Sequence, residues 1–153
     1  MRYASAIMLF IGICCTCSGA AGAGDKKTYV GSEACKTCHA QEYERFMKYS
    51  KQAKSYESVA LMKKGLTESE LQGCYKCHTT GYGQPGGFRS LRQTPRLKEA
   101  GCETCHGPGS LHYQTGDKKD IKGKLTAADC KQCHSDRTIQ SFGVKPLVYG
   151  GVH

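Results

Sequence analysis

Eight cysteines and four histidines of this chain fall into one repeated pattern. It reads Cys35-x-x-Cys38-His39, Cys74-x-x-Cys77-His78, Cys102-x-x-Cys105-His106 and Cys130-x-x-Cys133-His134. Two cysteines three apart on a helical turn present both sulfurs to one side, where they add across the two vinyl groups of a single haem. The histidine that follows is placed to ligate the iron. The pattern therefore predicts four covalently attached c-type haems, with His39, His78, His106 and His134 as the proximal ligands. Two other chemistries use closely spaced cysteines. A disulfide framework suits an exported domain, and paired C-x-x-C units can build a four-thiolate zinc site. Neither explains a histidine after every second cysteine.

The second axial position of each iron is less well supplied. Bis-histidine ligation of four irons needs eight histidines, and the chain has six. His112, six residues after His106 and beyond Gly107-Pro108-Gly109, is a candidate distal ligand for a haem other than that of its own motif. His153 is a second candidate. Met47 and Met62 are weaker ones, since methionine also fills irregular apolar gaps. At least two irons are left five-coordinate, ligated by another group, or ligated by a neighbouring molecule.

The elements that must position these groups are short. Ser32 is expected to cap the turn holding Cys35. Thr67-Glu68-Ser69-Glu70 has the form of a capping box leading through Leu71 into Cys74. Thr94-Pro95 predicts a helix start, with Leu97 inside the helix and Gly101 at its end. Thr126-Ala127-Ala128-Asp129 opens the turn that contains Cys130. Residues 40–50 and 55–64 repeat apolar positions at helical spacing, and Lys63-Lys64-Gly65 predicts a glycine-terminated helix end. Gly81–Gln93 and Gly107–Gly123 read as loops. The fold class is thus mostly α: a small haem-packed cytochrome c with short helices, long loops and little strand.

Composition agrees. Ala6–Cys17 is a 12-residue apolar run behind Arg2, followed by small residues. This is the form of a secretory signal, too short for a membrane span of about 20 residues. Ala21-Gly22-Ala23 offers a cleavage site, giving a signal peptide over residues 1–23 and a tetrahaem domain over 24–153. An uncleaved N-terminal anchor is the other reading of that segment. Cys14, Cys15 and Cys17 fall inside the signal, so no cysteine is left over. The remainder has no Trp and few Phe, so porphyrins are expected to supply the apolar mass that its side chains lack. The net charge of +9 is no sign of nucleic-acid binding, because four haems bring roughly eight propionate charges. Lys118, Lys119, Lys122 and Lys124 form a candidate docking face for an acidic redox partner.

The motifs resemble those of tetrahaem cytochromes c of the cytochrome c-554 family. The resemblance is carried by Ala34-Cys35-Lys36-Thr37-Cys38-His39, Tyr56-Glu57-Ser58, Cys77-His78-Thr79-Thr80-Gly81-Tyr82-Gly83 and Gly86-Gly87-Phe88. Its most specific part is Gly101-Cys102-Glu103-Thr104-Cys105-His106-Gly107-Pro108-Gly109. It implies a helical, haem-packed fold with closely stacked haem pairs, periplasmic electron transfer, and mixed ligation with one five-coordinate haem. It also implies that His112 is a distal ligand. Two departures stand out. Ser50–Ser55 holds no histidine where the family has a distal one, and the chain ends at His153 without the family's long C-terminal extension. The expected function is a periplasmic carrier of single electrons, with periplasmic or membrane-bound redox proteins as partners. Two alternatives remain: reduction of nitric oxide, nitrite or hydroxylamine at an open iron, and self-association into a cytochrome filament.

Overall fold

The computed structural model describes residues 26–134, and every described element is helical. Seven α-helices follow one another: α1 (Ser32–Cys35), α2 (Ala40–Tyr49), α3 (Ser55–Met62), α4 (Glu68–His78), α5 (Cys102–His106), α6 (Ser110–Thr115) and α7 (Ala127–Cys130), with short 3-10 turns between them. Among the described residues there is no strand, and no helix is long and apolar enough to cross a membrane. The expected mostly α class holds. Residues 1–23, expected to be a signal peptide, and His153 lie outside the described residues.

The longest helix, α4, starts as its sequence dictates. The Thr67 side chain accepts from Glu70 N at 3.4 Å, and the Glu70 carboxylate accepts from Thr67 N at 2.8 Å. Both bonds satisfy amides that would otherwise be orphaned at the helix start. The helix then places Leu71 inward and ends on Cys74, Cys77 and His78. It packs against α3, and the shared core consists of Tyr56, Val59, Leu71, Phe88 and Leu97. Tyr75 meets Phe88 edge-on at 5.3 Å and Tyr82 at 5.4 Å. Each fully buried side chain of this size contributes roughly 1.5–3 kcal/mol. Five such residues make a small core, as the composition implied.

The stretch from Thr79 to Gly101 has no helix longer than one turn, yet it is tightly held. Thr80 is 2% exposed. Its N–H donates to Leu97 O at 3.0 Å and its carbonyl accepts from Phe88 N at 2.9 Å. Its hydroxyl donates to Glu99 O at 2.7 Å and accepts from Gly101 N at 2.9 Å. One buried threonine thus ties the second motif to the third.

Four local expectations are corrected. Thr94-Pro95 begins only a three-residue 3-10 turn, Pro95–Leu97. The Thr94 hydroxyl accepts from Arg89 N at 2.8 Å and donates to Ser90 O, so it is engaged backwards instead of capping forwards. Ser32 does not cap α1; its hydroxyl accepts from Cys102 N at 3.0 Å. Gly65 is not left-handed, because α3 runs out through a 3-10 turn into extended Leu66. Finally, Gly107–Gly123 is no plain loop, since it contains α6 and a 3-10 turn at Lys118–Asp120.

Candidate haem centre

All four motifs lie on helical turns, as attachment chemistry requires. In the first, His39 N donates to Cys35 O at 2.9 Å and Cys38 N donates to the same carbonyl at 3.2 Å. The fourth repeats this geometry: His134 N and Cys133 N donate to Cys130 O at 2.9 and 3.2 Å. The second motif ends α4 and the third constitutes α5. The eight described cysteines are all free of disulfides. That leaves every sulfur available for a thioether and removes the disulfide framework as a reading of the described part.

Tertiary contacts bring the motifs together two by two. The thiols of Cys35 and Cys102 hydrogen-bond each other. That bond is the main reason Cys102 is lowered to about 6, with Ser32 adding to it, while Cys35 is raised. In the other pair, Cys133 Sγ lies 3.9 Å from Cys77 O, and Cys77 Sγ lies 4.0 Å from Gln132 O. Burial, then the charge of Cys77, pushes the Cys133 thiol up to about 12. Gly101 makes the first pairing possible. A Cβ there would stand 2.2 Å from Ser32 Oγ, the atom that receives Cys102 N.

Between the first and third motifs lies a cavity of about 550 Å³, lined by Cys35, Cys38 and His39 on one side and Cys102, Cys105 and His106 on the other. Phe46 and Ile121 add apolar wall, and His112 projects from α6 into the same space. The rings of His39 and His112 have centroids 6.2 Å apart and planes inclined at 27°. An imidazole nitrogen binds a metal at about 2.0 Å, and the ring centre lies about 1.1 Å behind it, so two rings on opposite sides of one ion have centres about 6.2 Å apart. The observed separation matches the spacing that two ligands of one ion would have. His112 is therefore placed opposite the histidine of the first motif, not that of its own.

Three of the imidazoles are oriented by backbone carbonyls. His78 Nδ1 lies 2.8 Å from Ser55 O, His106 Nδ1 lies 2.6 Å from Lys122 O, and His112 Nδ1 lies 2.9 Å from Asp117 O. A carbonyl only accepts, so each Nδ1 carries the hydrogen and Nε2 is left with a lone pair for a metal. The donor set, the thiol pairs and the cavity all fit c-type haem.

The comparisons with known proteins agree with this geometry. Residues 34–107 match the family model described as cytochrome c554 and c-prime. The cytochrome c-554 of Nitrosomonas europaea is 31% identical over 113 residues, 64% of this chain and 48% of that protein. The chain thus spans about half the length of the curated relative it matches. The structure of reduced cytochrome c554 from Nitrosomonas europaea superposes with a TM-score of 0.50 at 25% identity, covering 70% of this chain and 65% of the other. The chain resembles the cytochrome c554 family in sequence and in fold. The match to the family model takes in the first three motifs.

Other candidates fare unevenly. Met47 and Met62 are 41% and 58% exposed, and neither lines the cavity. The lysine face is partly neutralised: Lys119 pairs with Asp117 at 2.8 Å and Lys122 with Asp129. One residue passed over in the motif reading proves central. Glu103, between the cysteines of the third motif, is 1% exposed and accepts three backbone N–H groups. Its position inside C-x-x-C-H left no signal beyond a charged residue in a motif that specifies none there.

Proposed function

We propose that this chain is an exported electron-transfer protein that carries four haem c groups and passes single electrons between redox partners in the periplasm. The observation that carries the reading is the pairing of His39 with His112 across a cavity lined by two C-x-x-C-H motifs. Covalent haem supplies the one-electron iron chemistry. Cys35 with Cys38, Cys74 with Cys77, Cys102 with Cys105 and Cys130 with Cys133 hold the groups; His39, His78, His106 and His134 are the proximal ligands and His112 a distal one. Carbonyls of Ser55, Lys122 and Asp117 orient three of these imidazoles. Contact between motifs one and three, and between two and four, supports two close haem pairs, a spacing suited to electron hopping. Partners are periplasmic or membrane-bound redox proteins. Mass spectrometry of the purified protein should show four haem additions, and low-temperature EPR should show at least one bis-histidine low-spin signal. A protein exported without covalent haem would overturn the proposal.

The histidine count favours a second reading for part of the molecule. Among the described residues, His112 is the one histidine outside the four motifs. An iron without a second protein ligand could bind and reduce a small nitrogen oxide. A high-spin EPR component that vanishes on adding nitric oxide, with turnover under reducing conditions, would support it. Four low-spin signals would remove its basis.

A further inference from the structure

We infer that Glu103 is a positioning residue for the centre between His39 and His112, and that its buried negative charge biases the centres of the first and third motifs toward the ferric state. The inference rests on the haem reading above. It concerns a residue that the motif does not require, since position 103 is one of the two unspecified places in C-x-x-C-H.

Glu103 is 1% exposed. Its Oε1 accepts from Val30 N at 3.0 Å and Gly109 N at 2.7 Å. Its Oε2 accepts from Val30 N at 3.1 Å and Gly31 N at 2.7 Å. Both oxygens face N–H donors, which is the environment of a carboxylate and not of a carboxylic acid. The donors come from the two segments that launch the ligands of one iron. Val30 and Gly31 immediately precede α1, which runs into Cys35 and His39. Gly109 immediately precedes α6, which carries His112. The carboxylate itself sits in α5, between Cys102 and Cys105. One side chain thus joins the start of the His39 segment, the start of the His112 helix and the third motif. Without it, three amides 73, 72 and six residues away in sequence lose a shared acceptor.

The charge has a second consequence. Glu103 lines the same cavity as His39, His106 and His112. Negative charge fixed in a poorly solvated place stabilises the more positive oxidation state of an iron nearby. Its field already registers on Tyr29, which is raised by burial and then by Glu103. The second and fourth motifs contribute no residue to this cavity, so their centres are the internal control.

The test uses the purified haem-loaded protein with E103Q and E103D, each checked for haem count by mass, then titrated potentiometrically by absorbance and EPR. E103Q keeps the shape and removes the charge; E103D keeps the charge on a shorter stem. In E103Q, two of the four haems should show a reduced-to-oxidised ratio raised about tenfold at the wild-type midpoint, a shift of about 59 mV for a one-electron couple. The other two should not move, and E103D should track the wild type. Unchanged titrations in E103Q overturn the inference, as does a shift of equal size in E103D. If E103Q fails to retain haem, E103D decides: four haems with the wild-type titration support the role of the charge, and loss in both variants overturns it. A wild-type protein without covalent haem defeats the haem reading itself, a result distinct from all of these.

Discussion

The first and third motifs form one kind of site, and the second and fourth another. Around the first pair, histidines come from the residue before α2, from α5 and from α6, the cavity is walled by Phe46 and Ile121, and a buried carboxylate ties the segments together. The rings of His39 and His112 face each other there with centroids 6.2 Å apart. Around the second pair, the described histidines are those of the motifs themselves, His78 and His134. His78 is fastened by Ser55, while Cys133 is exposed and the fourth motif is anchored through its own capping box and Lys122. Long-range contacts join the motifs of both pairs, but the first pair is tied in addition by the Ser32 hydroxyl and the Glu103 carboxylate. The facing histidines and the buried carboxylate therefore lie in one half of the molecule, and among the described residues the one histidine outside the motifs lies there too.

The comparison fails altogether if the polypeptide folds without haem, so the largest effect is expected from removing it. Replacing the eight motif cysteines with alanine should abolish the cooperative thermal transition, because the buried side-chain cluster of the described residues is small, built on Tyr56, Val59, Leu71, Phe88 and Leu97. Far-UV circular dichroism on heating reads this directly, and a sharp transition in that variant would show that the protein packs around side chains. Next in size is His112→Ala. It should convert one low-spin haem to high-spin, counted by EPR, and leave the haems of the second and fourth motifs untouched. An unchanged spin count would remove His112 from the iron and with it the asymmetry between the pairs.

What could be read in the sequence follows the range of the interaction. The four motifs, the capping box Thr67–Glu70 and the turn opened by Thr126–Asp129 are complete within a few residues, and the structure shows a capping box at both places. Thr94-Pro95 has the same local grammar, yet the Thr94 hydroxyl bonds to Arg89 and Ser90, and the Leu97 carbonyl is taken by Thr80 N. Tertiary partners there outweigh propensity. α6 was hidden by the Gly-Pro-Gly in front of it, which reads as punctuation although Gly109 serves as the helix cap. The pairing of motifs was illegible for a physical reason. It depends on Ser32 reaching Cys102 N, on Gly101 having no Cβ, and on Glu103 holding Val30 and Gly31, contacts spanning about 70 residues.

A smaller effect sharpens the account of the second pair. The Ser55 hydroxyl donates to His78 O at 2.9 Å and accepts from Ala100 N at 2.8 Å, and the Ser55 carbonyl holds the His78 ring. Ser55→Ala removes the hydroxyl and keeps the carbonyl. It should cost about 1–3 kcal/mol, the usual cost of leaving a half-buried amide without its acceptor, visible as a lower urea midpoint. The haem spectrum should stay as it was. A changed spectrum would mean that the hydroxyl, and not the carbonyl alone, sets the orientation of His78.

The smallest effect concerns how the fourth motif is held. The Asp129 carboxyl is lowered to about 2, first by its bond with Lys122 and then by Thr126 N. Because the folded value lies below the ordinary 3.8, the carboxylate stabilises the folded state fully above the ordinary value, and this contribution is lost as pH falls toward about 2. Lys122 is also the residue whose carbonyl orients His106. The Asp129–Lys122 link therefore connects the weakly held fourth motif to the strongly held third. Melting curves of wild type and Asp129→Asn should differ at pH 5 and converge by pH 2, with the wild type the more stable at the higher pH. A difference that persists unchanged at pH 2 would show that the asparagine disturbs the Thr126 cap by shape, and that the charge does not join the two halves.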